Sequence, residues 1–219
     1  SDWSAGWFER NFESALLGLD NRSSVGLCAM RFYGATVGDA LKHNGLFYDA
    51  ERVKILKELV FQRLENDTPD DIRVFIKREP HKIAKLQDGR LRLISAVSLI
   101  DTMCDRIMFG PLARAILRSV GKTPIMLGWA PIGGGARLIS RIFGKRKTRA
   151  LDKSAWDWTV PGWLILQLEE ILHQLHITAP EWWHCWVRKR WKQLFRDAYF
   201  QFADGTRVQQ PGWGVMKSG

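Results

Sequence analysis

No apolar run in the 219-residue sequence approaches the roughly 18 residues that a membrane-spanning helix needs. The opening SDWSAGWFER lacks the charged-then-apolar pattern of a secretory signal, so an intracellular, soluble chain is expected. Cysteine is scarce. Cys28, Cys104 and Cys185 are odd in number and far apart, which excludes a disulfide framework or a CxxC metal site and leaves buried free thiols as the expectation. There is no repeat, no low-complexity segment and no clear linker. Acidic residues are outnumbered, 23 against 33 Lys and Arg, and the resulting charge of +10 makes a polyanion such as nucleic acid the leading partner, ahead of an anionic membrane surface. With 46% hydrophobic residues, the chain is long enough for one sizeable domain or two small lobes sharing a core.

Changes of periodicity mark the organisation. The first seventy residues are mainly helical, and DAERVKILKELVFQRLEN sets Val53, Leu56, Leu59, Val60 and Leu64 on one helical face. DIRVFIKREP alternates Ile72, Val74 and Ile76 with polar residues and predicts a strand, and RLRLISAV predicts a second. Residues 101–120 regain helical character, with Pro111 kinking or dividing the segment. PIGGGARLISRIFGKRKTR reads as a glycine loop entering a basic helix, and TRAL as a short strand ending at Asp152. Pro161 then opens a helix carrying Leu164, Leu168, Ile171, Leu172 and Leu175. PEWWHCWVRKRWKQLFRDAYF predicts a helix that is aromatic on one side and cationic on the other, and Asp204-Gly205 between alternating residues predicts a hairpin.

Two stretches carry chemistry. RALDKSAWDWTV places Asp152 and Asp157 five residues apart behind a basic run. A strand ending at Asp152 would offer that carboxylate at a sheet edge, where open α/β sheets bind ligands, and carboxylates supply hard oxygens for Mg²⁺. Asp152 as a helix cap and Asp157 facing solvent fit that stretch equally well. VFIKREPHKIAKLQDGRLRLI gathers Lys77, Arg78, Lys82, Lys85, Arg90 and Arg92. Strand alternation would aim Arg90 and Arg92 to one side as a phosphate clamp, the other reading being a solvated charged hairpin.

The order KREPHKIAKLQDGRLRLI, then LDKSAWDW, then QPGWGVMKSG resembles the fingers and palm motifs of positive-strand viral RNA-dependent RNA polymerases. It looks most like the sobemovirus and polerovirus group with its insect-virus relatives, and LDNRSSVGLCAMRFYGATVGDAL is similar to their upstream serine-glycine segment. The resemblance implies an α+β right-hand polymerase: fingers over 1–145, the first part of the palm over 146–178, a return to the fingers over 179–208, and the start of a palm serine-glycine loop over 209–219. It implies that Asp152, with the Lys153 carbonyl, binds catalytic divalent ions, two Mg²⁺ or Mn²⁺ in a complete enzyme. Asp157 would recognise the ribose 2′-hydroxyl in concert with Ser218 of the Ser218-Gly219 pair. Lys77, Lys85 and Arg92 would roof the nucleotide channel, with Arg90 as a further nucleotide contact and Arg92 on the triphosphate.

The resemblance further implies template and primer RNA, ribonucleoside triphosphates and other viral replication proteins as partners, at a membrane-associated replication complex in the host cytoplasm. The Gly-Asp-Asp motif of that family does not occur in the 219 residues, and the expectation is a fragment of a longer polymerase that binds RNA without extending it.

Other features take blander readings. The helical spacing of Trp182, Trp183, Trp186 and Trp191 puts core packing ahead of base stacking. His173, His176, His184 and Cys185 match no standard zinc spacing, and GGGAR without a following G-K-[ST] is a connector. A non-enzymatic RNA-binding module would explain the charge but not the ordered carboxylates. A reverse transcriptase normally carries a bulky sugar gate where this chain has Asp157.

Overall fold

The computed structural model describes residues 5–66, 68–77, 79–80 and 82–217. Arg78, Ser218 and Gly219, each named above, lie outside the described residues.

The chain opens with helix α1 (Ala5–Leu17), a 3₁₀ turn (Ala29–Phe32), the one-turn α2 (Val37–Ala40) and α3 (Ala50–Asn66). The apolar stripe read from the sequence packs as expected: Leu56, Val60 and Leu64 are buried, and Val53 and Leu59 rest on the same core. Strand β1 (Ile72–Ile76) and strand β2 (Leu93–Ala96) pair antiparallel around the short helix α4 (Ile83–Gln87). The long α5 (Leu99–Arg118) follows, then α6 (Gly135–Phe143), the single turn α7 (Trp156–Thr159), α8 (Gly162–Leu175), α9 (Glu181–Phe195) and the hairpin β3 (Tyr199–Gln201)–β4 (Arg207–Gln209). Pro111 sits inside α5 without dividing it. Ser98 caps α5, its hydroxyl accepting from the Asp101 amide at 3.1 Å.

The sheet order is β2-β1-β3-β4, with β1 and β3 parallel and the outer pairs antiparallel. The main core is helical and lies around α5, whose Leu99, Ile100, Met103, Cys104, Ile107 and Met108 are buried with Phe12, Leu56, Val60, Trp183 and Val187. Trp182, Trp183 and Trp186 of α9 serve this core, Trp183 donating its indole N–H to the Met108 carbonyl at 3.0 Å. A second cluster, Ile72, Val74, Ala198 and Phe200, belongs to the sheet. A third joins Val160, Ile165 and Phe195, with Trp156, Trp191, Trp213 and Met216 against it.

A charged network threads the helical core. Arg190 of α9 is 4% exposed and forms a bidentate pair with Asp105 at 2.7 and 2.8 Å. Arg63 of α3 bonds Asp101 at 2.5 Å and Asp70 at 3.0 Å. Asp101 also accepts from the Asp70 amide at 2.9 Å, and Ser98 donates to Asp70 at 2.7 Å. Burial pushes the Asp101 carboxyl up, against the opposing pull of Arg190 and Arg63. Burial alone would lower Arg190, but the Asp105 charge and hydrogen bonds leave it above its ordinary value.

Four expectations are corrected. Residues 149–152 form no strand and are exposed, because no strand of the described sheet stands beside them to satisfy their backbone groups; Asp152 therefore sits in a loop, not at a sheet edge. Strand β2 begins at Leu93, so Arg90 and Arg92 do not alternate along it. The charged connection of β1 and β2 is not a plain hairpin, since α4 forms within it behind Lys82. Cys28 and Cys104 are buried, but Cys185 is exposed on the cationic side of α9, its thiol within 3.3 Å of the Arg188 guanidinium.

Asp101→Ala should cost about 3–5 kcal/mol, because it strips the buried Arg190 and the half-buried Arg63 of a shared partner. The free energy from urea unfolding, followed by tryptophan fluorescence, is the measurement; a loss below about 1 kcal/mol would show that the network contributes little.

Candidate nucleotide-binding site

A short turn positions Asp157. Ala155 adopts the left-handed conformation at φ 50 and ψ 37, and its carbonyl accepts from the Trp158 amide at 3.0 Å and the Thr159 amide at 3.1 Å. That reversal starts α7 with Asp157 in its first turn, while Trp156 packs on the third apolar cluster. Trp158 meets Phe200 of β3 with ring centroids 6.0 Å apart, which ties the turn to the sheet. Behind it, Gly162 opens α8 so close to Trp213 that a Cβ would lie 2.8 Å from the Trp213 Cβ and 2.9 Å from its carbonyl oxygen.

The basic arm approaches from the sheet. Lys77 donates its amide to the Arg92 carbonyl at 2.8 Å, carrying the β1–β2 ladder one step beyond the strand ends. A cavity of about 540 Å³ opens where the arm faces α7, and Lys85, Arg90, Arg92, Lys153 and Asp157 all line it, with Glu79. The chain thus brings together five of the residues singled out from sequence, drawn from two distant segments. Lys77 lies outside this lining and pairs with Glu79 at 2.8 Å. Arg90 bonds Asp88 at 2.5 and 3.0 Å, an exposed pair of the kind that breaks readily for a better acceptor. Arg92 and Lys85 are exposed, and Asp157 is half-buried.

Asp152 stands apart from the cavity, exposed, with its Oδ1 accepting from the Lys153 amide at 2.9 Å. The Lys153 ammonium lies 5.8 Å from the Trp156 ring centroid. Among the described residues no group of three or more His, Cys, Asp or Glu could hold a metal ion. The donor type at Asp152 nevertheless suits Mg²⁺ or Mn²⁺: a solvent-facing carboxylate, of the kind that binds such ions jointly with substrate phosphates.

Motif resemblance named the loop over 209–219, but sequence reasoning missed how it closes the site from behind. The Met216 amide donates to the Asp157 carbonyl at 2.7 Å, Gly214 bridges to Pro161, and the Gly214 amide donates to the Phe195 carbonyl at 2.9 Å. Gln210, 4% exposed, organises this loop from inside. Gln210 opens the QPGWGVMKSG stretch, yet nothing local in the sequence marks it as the residue that organises the loop.

Comparison with known proteins bears on this arrangement. The family model described as viral RNA-dependent RNA polymerase matches residues 36–212. The chain is 27% identical to Protein P1-P2 of Potato leafroll virus in an alignment covering all of this chain and 23% of that protein. It is 29% identical to the replicase polyprotein P2AB of Southern bean mosaic virus, over 80% of this chain and 18% of that protein. The chain therefore spans less than a quarter of the length of these relatives. Among solved structures, the Sicinivirus 3Dpol RNA dependent RNA polymerase superposes with a TM-score of 0.68 at 18% identity, over 98% of this chain and 49% of that one.

Proposed function

Because the chain belongs to the viral RNA-dependent RNA polymerase family, we propose that it forms part of an RNA-directed RNA polymerase and receives a ribonucleoside triphosphate between the basic arm and α7. The observation that carries this reading is the shared cavity of Lys85, Arg90, Arg92, Lys153 and Asp157. Four cations against the carboxylates of Asp157 and Glu79 make a net-positive pocket for a ligand that is polyanionic at one end and bears hydroxyls at the other.

Phosphoryl transfer asks a protein mainly for positioning and charge stabilisation. The Arg92 guanidinium offers the triphosphate a planar fork that matches phosphate oxygens, and Lys85 adds a point charge beside it. Arg90 exchanges Asp88 for phosphate at little cost, since its present partner is exposed. Asp157 accepts a hydrogen bond from the ribose 2′-hydroxyl, and the preference for ribonucleotides follows, because a carboxylate placed for a hydroxyl is left unpaired by the analogue lacking it. Polymerases of this family generally use divalent metals, and Asp152 with the Lys153 carbonyl would hold such an ion, which when bound stabilises charge on the transferred phosphoryl group.

Template and primer RNA would run along the positive surface that includes the exposed Lys145, Arg146, Lys147 and Arg149. In this reading the fingers comprise residues 1–145 and 179–208, and the palm begins at 146–178 and resumes at 209.

Two measurements test the reading. Titration of the 219-residue chain with fluorescent GTP should give an affinity that Arg92→Ala weakens by about tenfold or more, the size of a charge-assisted hydrogen bond of roughly 1.5–3 kcal/mol. An unchanged Kd in a folded variant overturns the triphosphate contact. Competition between GTP and dGTP should favour the ribonucleotide, and Asp157→Ala should bring the two Kd values together; equal discrimination by parent and variant makes Asp157 a structural residue.

A further inference from the structure

The loop behind Asp157 holds an unusual backbone. Val215 has φ 51, a left-handed conformation that a β-branched side chain resists. It is one of three non-glycine residues with positive φ among the described residues, and another, Ala155, starts the Asp157 turn. Such conformations persist only where surrounding contacts over-determine them.

Those contacts are Gln210 and Lys217. The Gln210 Nε2 donates to the carbonyls of Phe195 at 2.6 Å, Gly212 at 2.7 Å and Gly214 at 2.9 Å, so two N–H bonds are shared among three acceptors on α9's end and on the loop. Its Oε1 accepts from the Lys217 Nζ at 2.7 Å, and the same Nζ donates to the carbonyl of the strained Val215 at 2.9 Å. The Lys217 ammonium also lies 4.9 Å from the Phe200 ring centroid and 5.6 Å from that of Phe195. Burial pushes the Lys217 amine down to about 7, and both its neutral and charged forms retain the two donors this geometry uses. Between Val215 and Lys217 stands Met216, whose amide bonds the Asp157 carbonyl at 2.7 Å.

We propose that Gln210 and Lys217 form a latch that positions Asp157: they hold Val215 in its left-handed conformation, which aims the Met216 amide at the Asp157 carbonyl and so sets the carboxylate for sugar recognition. Neither residue touches the ligand, and both act through the Met216 to Asp157 bond. The latch deepens the ribonucleotide-binding reading and rests on it for its consequence, but not for its existence.

Two readouts separate the two. Amide hydrogen exchange at Met216 reports the latch whatever the site binds. The ratio of GTP to dGTP affinity reports its consequence. Lys217→Met and Gln210→Leu should each speed exchange at the Met216 amide by about tenfold or more and lower the sugar preference toward that of Asp157→Ala, since displacement of a positioned group by about 1 Å can cost up to a hundredfold. Lys217→Arg, which retains donors, should preserve part of both. Binding of inorganic tripolyphosphate, which lacks a sugar, should not change in any of them.

Unchanged Met216 exchange in folded Lys217→Met overturns the latch. Faster exchange with sugar preference intact, while Asp157→Ala abolishes it, overturns its positioning role. Faster exchange with no sugar preference in the parent or in Asp157→Ala leaves the latch standing and overturns the ribose reading instead. Should Lys217→Met fail to fold, Lys217→Gln, which removes the ammonium but keeps amide N–H donors on a shorter side chain, decides by the same two readouts.

Discussion

Arg190 enters the core from α9, and the geometry of three helices depends on how its charge is met. The bidentate pair with Asp105 fixes α9 to the middle of α5, and the neighbouring Asp101 shares its negative charge with Arg63 of α3. A buried ion network of this kind is a weak source of net stability, since desolvation offsets most of the attraction. Its effect is directional. Leu, Val and Trp side chains could pack in neighbouring registers, whereas a planar guanidinium facing a carboxylate admits few arrangements. Asp70 then carries the constraint to the start of β1 through Ser98 and Arg63, so that the sheet is oriented by the same charges that dock the helices.

The site inherits this order from two sides. The basic arm leaves the sheet between β1 and β2, and the Asp157 turn rests on α8, α9 and the loop after β4. Neither half meets the other in sequence. They meet because β3, which follows α9, adds to β1, and because Trp158 stacks near Phe200 on that strand. The cations of the arm and Asp157 thereby face one cavity while each is held by its own scaffold, so that the arm can shift without disturbing Asp157.

Much of this was legible in residues whose role is local. The stripe from Val53 to Leu64, the alternation from Ile72 to Ile76 and the Asp204-Gly205 turn announce a helix, a strand and a hairpin, since neighbours alone decide them. The segment 149–152 looked like a strand for the same local reason and is not one, because a strand exists only where another backbone pairs with it. Arg190 was illegible: it belongs by sequence to the cationic face of α9 but points inward to carboxylates some 85 positions away. At the site, Lys85, Arg90, Arg92 and Asp157 could be read from motif order, while Gln210 could not, since its worth lies in carbonyls contributed by Phe195, Gly212 and Gly214.

The parallel pairing of β1 with β3 sets a timetable for the chain. Ile72 must wait for Phe200, so one edge of β1 has no partner until nearly all of these residues have left the ribosome, and closing so long a loop is slow. During that interval the β1–β2 pair presents open backbone groups beside apolar Ile72 and Val74, the features that invite pairing with another molecule. The cations of the arm that follows β1 bear on that window: like charges on every nascent copy keep such edges apart.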